Sequence, residues 1–235
     1  MTDLLTLEEA QERVLARVRP LSSQSVATRD AAGRVAAEDV RALVDLPPFR
    51  SSAMDGFAVR AADLPGTLPI VGRVAAGRPA ARPLGPGEAM EISTGGAVPE
   101  GADAVVPVEY VVVDGNRVEF AQGVPAGANV RPRGGDVAAG DVVVPAGTRI
   151  TAAQVGALAA AGVAELRCGS VPRVVVVTTG SELAAPGEPL APGQVYDANG
   201  LMLAAALAPL GADIEVAPAV ADDEAAHRAA LERGL

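Results

Sequence analysis

Apolar and polar positions along the chain fall into three successive patterns. The first is helical. In "TLEEAQERVLARV" (Thr6 to Val18), Leu7, Val14, Leu15 and Val18 fall near one stripe, and Thr6 with Glu9 has the spacing of a capping box. The spacing predicts an amphipathic helix that Pro20 ends. From Ala36 to Val44 an extended stretch or short strand leads to Pro47-Pro48.

From Pro47 to about Arg133 the pattern is that of strands: short apolar stretches punctuated by Gly and Pro, with no helical periodicity at helix length. "VEYVVVDGNRVEF" reads as two strands joined around Asp114-Gly115, a hairpin signal. "DVVVPAGTRI" adds a strand. "TAAQVGALAAAG" (Thr151 to Gly162) reads as a helix with Thr151 and Gln154 as a second capping box and Gly162 as the C-cap. "VPAG" occurs at 124–127 and again at 144–147, too few copies for a repeat architecture.

At Val171 the pattern changes again. "PRVVVVTTGSEL" is a continuous apolar run ending in a polar, glycine-containing loop. A helix "DANGLMLAAALAPLGA", a strand "DIEVAPAV" and a helix "DDEAAHRAALERGL" follow. Strand, helix, strand, helix is the opening of a doubly wound parallel sheet, which needs both faces covered. The expected fold is therefore a multidomain α/β and β protein. Residues 1–46 and 134–170 form an N-terminal helical and connecting domain, 47–133 an inserted mostly-β domain, and 171–235 the first half of a doubly wound α/β domain.

Composition narrows the function. The chain has 235 residues, 49% of them hydrophobic, enough for one large domain or two to three small ones. Aromatics make up 2% and Trp is absent, so Ala, Val and Leu must build the cores. A net charge of −10 repels phosphate backbones and anionic lipid, which argues against nucleic-acid and membrane partners. The single cysteine, Cys168, excludes a disulfide or a multi-cysteine zinc site within these residues and reads as a buried small apolar group. "MTDLLTLEEAQERV" lacks the basic and apolar regions of a signal peptide, and no run reaches ~18 apolar residues. The expectation is a cytoplasmic protein. His227, the only histidine, lies in a charged helical stretch and reads as a surface residue, so no histidine-based catalytic triad is expected.

Four loops carry candidate chemistry. In "FRSSAMDGFAVR", Asp55 stands beside Gly56; a turn needs only that pair, but the same geometry holds an acid steady against a ligand. In "EISTGGAVPEGADAVVPVE", Thr94 with Gly95-Gly96 could form an anion-binding nest or be a plain turn between strands. In "NVRPRGGD", Arg131 and Arg133 precede Asp136, as an anion site or as a solvated loop balancing nearby acids. "TTGSEL" lies at the carboxyl end of a parallel strand, where such sheets bind ligands. There Gly180 frees backbone N–H groups, Thr179 and Ser181 add hydroxyls, and Glu182 adds a hard oxygen suited to Mg²⁺. Asp222 and Asp223 fall at the same edge, as ligands or as helix caps.

Together, "SSAMDGFAVR", "ISTGGAVPEGADAVVPVE", "NVRPRGGDVAAGDVVVPAGTRI" and "VVVVTTGSEL…GQVYDANG" occur in an order and spacing that resembles the molybdopterin molybdenumtransferase, or MoeA, family, and also the E domain of gephyrin. The resemblance runs from about Leu5 to the end. It implies an elongated homodimer that inserts molybdate into adenylylated molybdopterin and releases AMP, with Mg²⁺ or another divalent ion required, and with the molybdopterin adenylyltransferase as a candidate protein partner. It implies a site in a cleft between the β domain of one subunit and the molybdopterin-binding-like α/β domain of the other. On this resemblance Asp55, Thr94, Asp136 and Glu182 are catalytic. Ser52, Gly95, Arg131, Thr179, Gly180 and Ser181 bind substrate, and Glu182, Asp222 and Asp223 hold metal.

The family's α/β domain continues into a Gly-Gly-Ser-Gly loop with a later Asp, and a C-terminal β domain follows. The sequence stops before both, at "LERGL". The expectation is a fragment of a longer enzyme, with little turnover from these residues alone. The alternatives are a non-catalytic scaffold or regulatory relative that binds a protein partner and, more weakly, the adenylyltransferase that makes the substrate.

Overall fold

The computed structural model describes residues 5–234. The chain folds as two compact units, one of Val40–Val143 and Gly156–Val163, the other of Met1–Asp39, Val144–Val155 and Ala164–Leu235. The α-helices among the described residues are α1 (Leu7–Leu15), α2 (Ala152–Ala160), α3 (Asn199–Leu207) and α4 (Glu224–Gly234).

A six-stranded sheet organises the first unit. Its strands are β1 (Gly56–Val59), β2 (Gly66–Val74), β3 (Ala89–Ile92), β4 (Ala104–Pro107), β5 (Val111–Asp114) and β6 (Arg117–Phe120), in spatial order β4-β1-β3-β2-β6-β5. Only β2 and β3 run parallel; the other neighbours are antiparallel. Successive residues of β1 serve opposite faces, as the two-residue period of a strand requires. Phe57 and Val59 join Ala89, Val106, Val118 and Phe120 on one face, while Ala58 joins Val74, Met90, Ile92 and Val105 on the other. The Phe57 and Phe120 rings meet edge to face with centroids 6.3 Å apart. As the pattern expects, no α-helix interrupts 47–133.

The expected hairpin is β5–β6. Asp114 pairs with Arg117, so the turn residues are Gly115 and Asn116, one position later than the sequence signal, with Gly115 in the left-handed region at φ 58°. Gly56 is a second correction. It opens strand β1 rather than forming a turn, and it is glycine because an added Cβ would lie 2.0 Å from the Val106 carbonyl oxygen of β4.

In the second unit, α1 carries the expected reciprocal cap: Thr6 N–H donates to Glu9 Oε2 at 2.9 Å and Glu9 N–H to Thr6 Oγ1 at 3.2 Å. The helix ends at Leu15 rather than at Pro20, because Arg17 and Val18 N–H groups fold back to Val14 and Leu15 carbonyls in tighter turns. Ser23–Ala27 pairs antiparallel with Glu165–Gly169. Val26, Leu166 and Cys168 are buried there, and burial pushes the Cys168 thiol pKa up, as for an inert core group.

At the start of α2, Thr151 N–H and hydroxyl both donate to Gln154 Oε1, which is one half of the expected capping box. At its end, Gly162 sits at φ 81°, with Gly162 N–H on Ala159 O and Val163 N–H on Leu158 O. This pair of bonds is how a glycine closes a helix.

The last segment is the expected strand–helix repeat. β7 (Arg173–Val176) and β8 (Asp213–Val216) pair in parallel, with α3 between them and α4 after. His227 is not the surface residue the sequence suggests: it is half-buried, and its Nε2 is buried without a hydrogen-bond partner among the described residues. The reason is its face. Ala230 is buried, and a Cβ on Gly234 would lie 3.5 Å from Val175 of β7, and His227 shares that side of α4 at helical spacing. No helix among the described residues is long and apolar enough to cross a membrane.

Candidate functional site

Three of the four candidate loops meet at one end of the β-rich unit. Ser51–Ser52 pairs antiparallel with Val130–Arg131, with Ser52 opposite Val130. Ser52 is buried and ties its neighbours together: its N–H donates to Gly96 O, its carbonyl accepts from Gly95 N–H, and its hydroxyl donates to Met54 O at 2.6 Å. Gly95 provides the left-handed corner at φ 76° that lets the second loop turn back onto the first. The result fixes Asp55. Thr94 N–H donates to Asp55 Oδ1 at 2.7 Å, while the carboxylate itself stays exposed. The acid beside Gly56 is thus held by a backbone donor thirty-nine residues away, and Oδ2 has no partner among the described residues.

The third loop supplies an ion pair rather than a free cation. Arg131 Nη2 donates to Asp136 Oδ2, both half-exposed. Beside it, Asp45 accepts Ala139 N–H at 2.8 Å and Arg133 Nε at 2.6 Å. The Ala139 N–H first, then the Arg133 guanidinium, hold the Asp45 carboxyl below its ordinary value. Sequence reading passed over Asp45, whose partners lie about ninety residues further along the chain.

The fourth loop belongs to the α/β unit and sits at the carboxyl ends of β7 and β8. Gly180 N–H donates to Val220 O and Val220 N–H to Thr178 O, continuing the parallel pairing past the strands. Ser181 and Asp222 bind reciprocally, Ser181 N–H to Asp222 Oδ2 at 3.2 Å and Asp222 N–H to Ser181 Oγ at 3.1 Å. Asp223 Oδ1 accepts Ala226 N–H at 2.8 Å and so caps α4. The Glu182 carboxylate folds over Gly180, where an added Cβ would stand 2.7 Å from Oε2. Thr179 is exposed beside it.

The sequence also passed over Asp197. Thr178 Oγ1 donates to its Oδ2 at 2.6 Å, and Gly200 N–H in the first turn of α3 donates to its Oδ1 at 3.0 Å. The Thr178 hydroxyl, then the Gly200 N–H, hold its pKa below the ordinary carboxylate value. Asp197 borders a cavity of about 530 Å³ walled by Leu183, Ala184, Leu201, Val216 and Pro218. An acid just before a helix in "VYDANG" was the available signal.

Among the described residues no three His, Cys, Asp or Glu side chains come together to hold a metal ion. Asp222 and Asp223 are occupied by backbone donors, so with Glu182 they do not form a ready-made cation cage. Chemically, the β-rich unit offers the exposed Asp55 carboxylate held by a backbone donor, and the fourth loop, in the other unit, offers the exposed Glu182 carboxylate, hydroxyls and loop N–H groups suited to oxyanions.

Comparison with known proteins agrees with this architecture. The family described as MoeA N-terminal region (domain I and II) matches residues 5–162, and that described as Probable molybdopterin binding domain matches 175–235. Molybdopterin molybdenumtransferase 2 of Mycobacterium tuberculosis (strain ATCC 25618 / H37Rv) is 41% identical over 97% of this chain and 58% of its own length. Molybdopterin molybdenumtransferase of Haemophilus influenzae is 37% identical over 83% of this chain and 50% of its own length. The crystal structure of a molybdopterin biosynthesis moeA protein from Pyrococcus horikoshii OT3 superposes with a TM-score of 0.89 at 31% identity, covering 98% of this chain and 64% of that one. The chain thus spans between half and two thirds of the length of these relatives. With both lobes matched in order and the fold reproduced, the chain belongs to the MoeA family.

Proposed function

We propose that this chain acts in molybdenum cofactor biosynthesis as a molybdopterin molybdenumtransferase, taking adenylylated molybdopterin and molybdate and releasing AMP. The observation that carries the reading is the convergence of three separate motifs on Asp55, whose carboxylate is oriented by the Thr94 N–H and left open to a ligand. Asp55 orients the attacking oxygen as the phosphoanhydride opens, since a fixed carboxylate within reach of a proton supplies general-base assistance. In the α/β unit, Glu182 and the loop N–H groups are suited to holding phosphate oxygens and their counter-ion. Asp136 balances Arg131 until an anion competes for that guanidinium.

Magnesium enters the proposal as a companion of the substrate. Mg²⁺ is usually held by one or two carboxylates together with phosphate oxygens, and Glu182 is the exposed carboxylate of the fourth loop that accepts no hydrogen bond among the described residues, unlike Asp222 and Asp223. When bound it offsets phosphate charge. We place the activity in the cytoplasm and in a homodimer, with the adenylyltransferase as a candidate partner for substrate hand-over.

The test is molybdate-dependent AMP release from adenylylated molybdopterin by the full-length protein. Glu182→Ala is expected to lower the rate about a hundredfold. An unchanged rate with intact folding would remove Glu182 from the reaction, and no AMP release from the unaltered protein would instead favour a non-catalytic relative that binds a protein partner.

A further inference from the structure

The β5–β6 hairpin takes no part in the site described above, and it leaves one edge of the six-stranded sheet open. The opposite edge, β4, is covered: Val105 N–H donates to Ala128 O. β5 is the last strand on its side and, among the described residues, pairs only with β6. The register fixes the direction of its backbone groups. Ile70 N–H of β2 donates to Asn116 O, and Val118, two residues on, turns the same way, toward β2. Arg117 and Glu119 therefore turn toward β5, where they meet Asp114 and Val112. Val111 and Val113 are left with N–H and C=O groups pointing away from the sheet.

A proline, a lysine or a bulge commonly blunts such an edge. β5 has none of them: it reads Val-Val-Val-Asp and pairs in unbroken register with β6. Its flank is apolar and open, with Val112 65% and Tyr110 75% exposed. At the Tyr110 end lies a hollow of about 420 Å³ walled by Val106, Pro107, Tyr110, Phe120 and Val124. It shares no bordering residue with the separate hollow that Asp55 faces.

Charge selects the occupant. Val112 lies opposite Glu119 and Asp114 opposite Arg117, so the four share the outer face of the hairpin. Arg117 leans away from the edge, its Nη2 donating to Thr67 O of β2 at 2.8 Å. Asp114 and Glu119 are exposed and make no ion pair among the described residues. A second copy paired edge to edge would bring two such acidic faces together, on chains whose net charge is −10 each. An extended segment with basic side chains on its outer face would meet counter-charges instead, and lysine stems would lie over Val112.

We infer that the β5 edge is a docking site for a basic, extended segment of a partner protein, which adds a strand to the sheet and places one large apolar side chain in the hollow beside Tyr110. Backbone bonds to Val111 and Val113 supply affinity, while the acidic face and the hollow supply selectivity. The inference goes beyond the transferase reading: none of these residues is given a part in the reaction proposed above.

The test uses a synthetic peptide of alternating lysine and valine ending in phenylalanine, labelled with a fluorophore and titrated with the full chain by anisotropy. It is expected to bind, and more weakly as salt is raised. A peptide with glutamate in place of lysine is expected to bind about tenfold more weakly, and the double variant Asp114→Lys, Glu119→Lys to reverse that order. Val113→Pro removes an outward N–H without touching the β5–β6 ladder, so it is expected to weaken the lysine peptide about tenfold while thermal melting stays native. N-methylation of the peptide's edge-facing nitrogens tests the same bonds on the unaltered protein and is expected to weaken binding as much.

Absence of binding overturns the inference. So does equal affinity for the lysine and glutamate peptides, or undiminished binding of the N-methylated peptide. Sedimentation in which Val113→Pro dissolves an assembly of the native chain would also overturn it, by making a second copy the occupant of the edge.

Discussion

Asp197 shows how much a single acid can organise. It joins the Thr178 hydroxyl, at the end of β7, to the first turn of α3, and its lowered pKa reports both bonds. A depressed carboxylate pKa stabilises the fold above the unfolded value, near 4, and the contribution fades as pH falls through the lower folded value. Asp197→Ala is therefore expected to cost about 1–2 kcal/mol at pH 7, the scale of a lost helix-start acceptor that strands a buried hydroxyl. The difference from the native chain should shrink below about pH 4, read by urea unfolding at both pH values. The same residue marks the limit of the sequence. Ser52, Asp55, Thr94 and Gly95 were legible because each stood in a motif rich in Gly, Ser and Thr. Asp197 and Asp45 carried no such motif: Asp197 takes its Thr178 hydroxyl from nineteen residues back, and Asp45 takes its partners from about ninety residues further along the chain.

Elements were legible where one local signal was enough. The α1 cap, the glycine closure of α2, the β5–β6 hairpin and the β7–α3–β8–α4 order each rest on residues a few positions apart. Pairing between distant strands was not: nothing in the sequence says that β2 lies parallel to β3 in an otherwise antiparallel sheet. His227 was misjudged because its charged neighbours outweighed the helical spacing it shares with Ala230 and Gly234. Gly56 is the element-scale case with the sharpest consequence. Its strand approaches β4 so closely that a methyl group would collide with backbone, not with a side chain that could rotate away. Gly56→Ala is expected to destabilise the β-rich unit by ~3 kcal/mol, measured by chemical denaturation, because overpacking against fixed atoms forces the sheet itself to shift. Wild-type stability for this variant would show that β1 and β4 part readily.

At the scale of the whole molecule the chain is acidic, while the substrate proposed for it is anionic. A net charge of −10 slows approach of phosphates unless local cations and a divalent ion offset it. Of the cations in the candidate loops, Arg131 and Arg133 are paired with Asp136 and Asp45. At this scale the homodimer is a prediction: sedimentation should give twice the chain mass of 23.5 kDa, and a monomer at micromolar concentration would remove that part of the proposal. The account turns on one carboxylate, fixed by a backbone donor and facing a hollow. The most direct measurement is the turnover of adenylylated molybdopterin by full-length protein carrying Asp55→Ala, with molybdate present and folding verified. The account predicts a fall in kcat/KM of about a hundredfold or more; turnover equal to that of the unaltered protein would contradict it.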